Sequence, residues 1–126
     1  MKTATTKRAD TAKAKLKPIT RGTDWLEVFT GTKDGTPYDM RLYEWDCHFK
    51  TEQGVEKPIA VKPKIVVEQD KIALIINDYD TEQLPVGVLF YNLLRTSPIT
   101  GWDNGYTEAI CEGTVLVKPG VTDYDD

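Results

Sequence analysis

The chain has 126 residues, 40% of them hydrophobic and 29% charged, with a formal net charge of −4. That is one domain of ordinary soluble composition, long enough for a real core and too short for two. No run approaches the roughly 18 apolar residues of a membrane helix, and Met1-Lys2-Thr3-Ala4-Thr5-Thr6 lacks the apolar centre of a secretory signal. Synthesis and assembly in a cytoplasm, with no membrane partner, are therefore expected.

Charge is unevenly placed. Up to Arg21 there are seven basic residues against one acid, Asp10, a surplus of +6; the remaining nine basic and nineteen acidic residues leave −10. Residues 1–17 contain no aromatic and only Leu16 and Met1 as large apolar side chains, too little to fold alone. Residues 1–18 are read as a flexible, extended basic arm whose Lys7, Arg8, Lys13, Lys15 and Lys17 meet a partner. Fully extended, 18 residues reach roughly 60 Å, several times the ~13 Å radius of gyration of a 100-residue domain.

From residue 19 onward a period of two dominates. Trp25 to Thr30 reads as a strand, and Lys33-Asp34-Gly35-Thr36-Pro37 as a turn. Between Tyr43 and Lys50, Trp45, Cys47 and Phe49 share one face, and Asp46, His48 and Lys50 the other. Two further strands, Lys64 to Glu68 and Lys71 to Asn77, are joined by a short Gln69-Asp70 turn. Asp78 to Leu84 reads as one helical turn with Asp80 or Thr81 as its cap.

A Leu84-Pro85-x-Gly87 turn then leads into a strand that is apolar on both faces. Leu89, Tyr91 and Leu93 form one row, and Val88, Phe90 and Leu94 the other. One row suffices for a core, so the second is assigned to a partner subunit. The last strand closes through Glu112-Gly113-Thr114-Val115, with Ala109, Cys111, Gly113, Val115 and Val117 as its core row. Six or seven short antiparallel strands over 19–120, between the arm and an acidic tail at 121–126, predict an all-β fold, an immunoglobulin-like β-sandwich.

Several segments carry a resemblance. Ile19-Thr20-Arg21-Gly22-Thr23-Asp24, Asp34-Gly35-Thr36-Pro37-Tyr38-Asp39-Met40, Trp45 to Lys50, Asp80-Thr81-Glu82-Gln83-Leu84-Pro85, Gly87 and Cys111-Glu112-Gly113-Thr114-Val115 stand in that order. The pattern resembles the N-terminal domain of phage baseplate upper proteins and related tail-associated β-sandwiches. There an R-G-D-T opening, a D-G-x-P-x-D-L turn, an L-P-x-G turn and an E-G-x-x-x-V strand recur. This chain has Thr23-Asp24 in place of Asp-Thr. The resemblance covers about residues 19–120 and implies a structural virion protein.

Catalytic chemistry is poorly supplied. His48 is the single histidine and Ser97 the single serine, so a serine triad would have to unite both with an acid. Cys47 and His48 are adjacent on one strand and point to opposite faces. No C-x-x-C or H-x-x-x-H spacing exists for zinc, and no cofactor is expected. The carboxylates at Asp78-Tyr79-Asp80-x-Glu82 and Asp123-Tyr124-Asp125-Asp126 lack the ligand spacing of a calcium loop. The two cysteines read as buried core thiols, with a cross-sheet disulfide as the alternative.

The expectation is a non-enzymatic component of a tailed-phage particle, in the tail, baseplate or an adaptor. It would be assembled in the host cytoplasm and would tether copies of itself and other virion proteins. A capsid decoration or neck protein is the related placement. A carbohydrate-binding module would use Trp25, Trp102, Tyr43 or Tyr106 as stacking platforms, Trp102 foremost. Nucleic acid is disfavoured, because the arm lacks stacking aromatics and the acidic body repels phosphates.

Overall fold

The computed structural model describes residues 14–33, 35–51, 58–100 and 103–120. In chain order the strands are β1 (Ala14–Lys15), β2 (Ile19–Thr20), β3 (Trp25–Thr30), β4 (Thr32–Lys33), β5 (Thr36–Pro37), β6 (Glu44–Lys50), β7 (Lys64–Val67), β8 (Lys71–Ile76), β9 (Gly87–Thr96), β10 (Ile99–Thr100), β11 (Asp103–Asn104) and β12 (Thr107–Lys118). A 3-10 turn, Met40–Leu42, precedes β6, and a single helical turn, Asp78–Thr81, follows β8. The protein is all-β, as the alternation predicts.

Two sheets carry the fold. One has the order β1-β12-β9-β6, with β2 also on β12; the other has the order β3-β8-β7. The long strands pair antiparallel, whereas β1 and β2 run parallel to β12. The core lies between the sheets, where Phe49, Leu89, Tyr91, Leu93, Val115 and Val117 meet Trp25, Ile72, Leu74 and Ile76. Trp25 and Phe49 bridge the layers edge to face, their ring centroids 6.5 Å apart.

The sheet reaches further back than expected. Ala14 and Lys15 pair with Gly113 and Thr114, and Leu16 is only 4% exposed, in the core. Residues 14–18, assigned to the arm from composition, thus form an edge of the folded body. The physical reason is that Leu16, alone in a charged stretch, finds its apolar neighbours in the core cluster rather than nearby in sequence, while its amide donates to the Thr114 carbonyl at 3.0 Å.

Two other expectations are corrected. The helical turn is capped by Asn77, whose side chain accepts from the Asp80 amide, not by Asp80 or Thr81. Thr81 is instead fully buried and ties distant segments together: its Oγ donates to the Thr23 carbonyl at 2.8 Å and accepts from the Gly22 amide at 2.9 Å. In β12 the register shifts between Ala109 and Cys111, a β-bulge. The bulge reverses the alternation, so Ala109 leaves the core row and is exposed, while Ile110 is buried.

Candidate functional site

The Arg21–Asp24, Asp39–Met40 and Leu84–Gly87 segments hold the fold together. Arg21 donates from Nη2 to the Glu82 carbonyl at 2.8 Å, and the Asp78 amide donates to Asp24 Oδ1 at 2.8 Å. The Arg21-Gly22-Thr23-Asp24 opening is therefore clamped onto the Asp78–Leu84 turn. Gly87, in the Leu-Pro-x-Gly turn, has φ 126, a conformation open to glycine and strained for any L side chain. Asp39 accepts from the Arg41 amide at 3.0 Å and caps the 3-10 turn that sends Met40 into the core.

Among the described residues, chemistry-bearing side chains do not converge. Ser97 Oγ accepts from the Tyr106 amide at 3.0 Å and donates to the Tyr106 carbonyl at 3.2 Å, latching the base of the β9–β12 hairpin. His48 stands opposite Asn92, five positions back along β9, roughly 16 Å away at the rise of a strand. His48 Nε2 lies 3.0 Å from Asp46 Oδ2, and Lys62 Nζ 2.8 Å from Asp46 Oδ1. Partial burial raises the Asp46 pKa, but the Lys62 hydrogen bond, the His48 charge and the Cys47 amide outweigh it, leaving the carboxyl below its ordinary value. Among the described residues no three His, Cys, Asp or Glu side chains are grouped to hold a metal ion.

The expected contact residues fall into three sets. Lys7, Arg8 and Lys13 lie outside the described residues. Lys15 and Lys17 are exposed, but their backbone is built in: the Lys17 amide donates to Glu27 Oε1 at 3.1 Å, and its carbonyl accepts from Trp25 Nε1 at 2.9 Å. Val88, Phe90 and Leu94 lie on the face of β9 turned away from the core. Val88 is 52% exposed, and Phe90 and Leu94 are half-buried. Leu116, opposite Val88 on β12, extends the same patch at 42% exposure.

A second apolar surface was not anticipated. On the outer face of the other sheet, Ala73 stands between Val28 and Val66, and Leu26 stands beside Ile75. Leu26 and Val28 are 46% and 47% exposed. The signal was present in Trp25-Leu26-Glu27-Val28-Phe29, where large apolar residues occupy both rows of the strand. Of the stacking platforms, Trp25 is buried in the core and Tyr43 packs its ring under the Arg95 guanidinium, 4.9 Å from centroid to carbon. Tyr106 is exposed, and Trp102 lies outside the described residues.

No family model matches the chain, and no curated protein matches it.

Proposed function

We propose that this chain is a non-enzymatic structural module that docks and tethers neighbouring subunits, of the kind found in the tail or baseplate region of a tailed-phage particle. The observation that carries the reading is that both sheets present apolar rows to solvent: Val88 and Leu116 on one, Leu26 and Val28 on the other. A sandwich of this size needs only its inner faces for a core, and exposed apolar rows on both outer faces mark contact surfaces. The strand order supports an immunoglobulin-like sandwich, since β3-β8-β7 against β12-β9-β6 follows the two-sheet arrangement of that fold. The motif resemblance to baseplate upper proteins supplies the virion setting, and a capsid decoration or neck protein would use the same surfaces.

The carbohydrate reading is weakened because Trp25 is enclosed and Tyr43 is engaged by Arg95. The test is incorporation. The chain, tagged and produced in cells infected by the virus that encodes it, should co-purify with particles. Phe90→Asp should fold with a near-parent melting temperature yet be missing from them, because a charge left unpaired in a dry contact disfavours binding far more than folding. Absence of the parent chain from particles would sink the reading. Failure of Phe90→Asp to fold would assign Phe90 to the core.

A further inference from the structure

The docking reading, on which this inference rests, leaves open what covers the Val88–Phe90–Leu94 face. Register fixes the neighbours on that face. Leu116 pairs with Val88, Thr114 with Phe90, Glu112 with Asn92 and Ala109 with Leu94. On the other side of β9, Lys50 stands beside Phe90, His48 beside Asn92, Asp46 beside Leu94 and Glu44 beside Thr96. Lys15 lies beside Thr114, and Lys118 is two residues beyond Leu116.

Charge is therefore sorted along the strands. Lys15, Lys50 and Lys118 gather at the end that holds Val88 and Leu116. Glu44, Asp46 and Glu112 gather at the end that holds Leu94, and Lys62 offsets only part of that negative charge through its contact with Asp46. Each half carries apolar groups, and the halves carry opposite charge. Such a surface is complementary to itself turned end over end.

We infer that this face binds the same face of a second copy of the chain, in an isologous dimer whose two-fold axis crosses the strands between Phe90 and Asn92. The operation sets Val88 and Leu116 of one copy on Leu94 and Ala109 of the other, and brings Lys15 next to the column of Glu112. The size of the contact follows from strand geometry. Ten residues of β9 span about 33 Å and three strands about 14 Å, giving roughly 450 Å² per copy and about 900 Å² in all. That is the range of weak, transient contacts, so the dimer forms at high local concentration, such as neighbouring sites of an assembly provide.

Sedimentation velocity of the full chain, from micromolar to millimolar and at low and high salt, tests this. The expected result is a weight-average mass that climbs from 14.2 kDa towards twice that value with concentration, less steeply at high salt. Val88→Lys, at an exposed site outside the core, should hold the monomer mass, and Val28→Lys on the opposite sheet should not. Lys15→Glu and Glu112→Lys should each weaken the dimer by about tenfold, and the two together should restore it, because the two-fold sets these charges against each other. A chain that stays monomeric at millimolar concentration overturns the self-pairing; if Val88→Lys is nonetheless excluded from particles, the docking reading stands with a different occupant. A dimer that Val28→Lys removes and Val88→Lys spares overturns the chosen face. A dimer indifferent to the charge exchange overturns the end-over-end geometry.

Discussion

Cys47 and Cys111 both pair with Leu93, from opposite sides of β9. Two strand spacings separate them by about 9.6 Å, beyond the ~7 Å limit between Cα atoms for a disulfide. Both side chains are buried and neither forms a disulfide; Cys111 Sγ lies 3.2 Å from Tyr91 Oη. Reductant should therefore leave the melting temperature unchanged, and a reductant-sensitive transition would contradict the register. Replacing both cysteines with Ala should lower stability by about 1 to 3 kcal/mol. Burial, with Asp46 nearby, pushes the Cys47 thiol from 9.0 up to about 12. Between those values the unfolded thiol ionises while the folded one does not, so stability is fully present below pH 9.0 and falls as pH rises towards about 12. Urea titrations across that window should show a shallower alkaline decline in Cys47→Ala than in the parent. Asp46 acts at the other limb. Its folded pKa lies below the ordinary 3.8, so its contribution is complete above that value and is lost as pH falls through the folded pKa.

At the scale of elements, the end of β9 holds the least expected group. Arg95 is only 3% exposed, donates to Tyr38 Oη at 2.8 Å and to Glu108 Oε1 at 3.2 Å, and lies over the rings of Tyr38 and Tyr43. The guanidinium exchanges water for an anion, a hydroxyl and two aromatic faces. The β12 bulge makes this meeting possible, because the shift puts Glu108 rather than Ala109 on the inner side beside Arg95. Arg95→Met should cost about 3 kcal/mol, since it removes the cationic partner of a largely buried carboxylate, whereas Arg95→Met with Glu108→Leu should cost much less. Equal losses in the two variants, read from urea midpoints, would show that the pair itself holds the strands. The same region marks where sequence patterning stops being informative. The rows Trp45-Cys47-Phe49 and Leu89-Tyr91-Leu93 were legible because a period of two maps directly onto two faces. A bulge adds one residue without a local mark, so Ala109 and Ile110 were read on the wrong sides. Nothing in the sequence singles out Arg95, because a single charge reveals nothing about a partner 13 positions away. Of the candidate contact surface, the Val88–Phe90–Leu94 row was legible from two-sided apolarity. The Leu26 and Val28 row was missed although it carries the same signal.

For the whole molecule, the closing of the sandwich depends on how the chain enters and leaves it. The entering segment lies along β12, Ile19 pairing with Val117 and Thr20 with Lys118. The leaving segment passes so close to Arg21 that a Cβ built on Gly120 would collide with the Arg21 carbonyl oxygen. Gly120→Ala must therefore push entry and exit apart, a backbone clash that flexible side chains cannot absorb. The same geometry makes residues 14–18 part of the folded body, apart from the basic residues that precede them. Removing residues 1–13 deletes Lys7, Arg8 and Lys13 and leaves every described contact in place, so the melting temperature should stay near that of the parent while incorporation into particles is lost. Extending the cut through residue 18 also removes β1 and empties the site of Leu16, where loss of a buried leucine costs about 2 to 5 kcal/mol. That variant should unfold at a clearly lower temperature. Calorimetry on the two truncations separates the roles: a large loss from the shorter cut would move the folded boundary upstream of Ala14, and normal incorporation of the shorter variant would remove the tether from the basic residues that precede it.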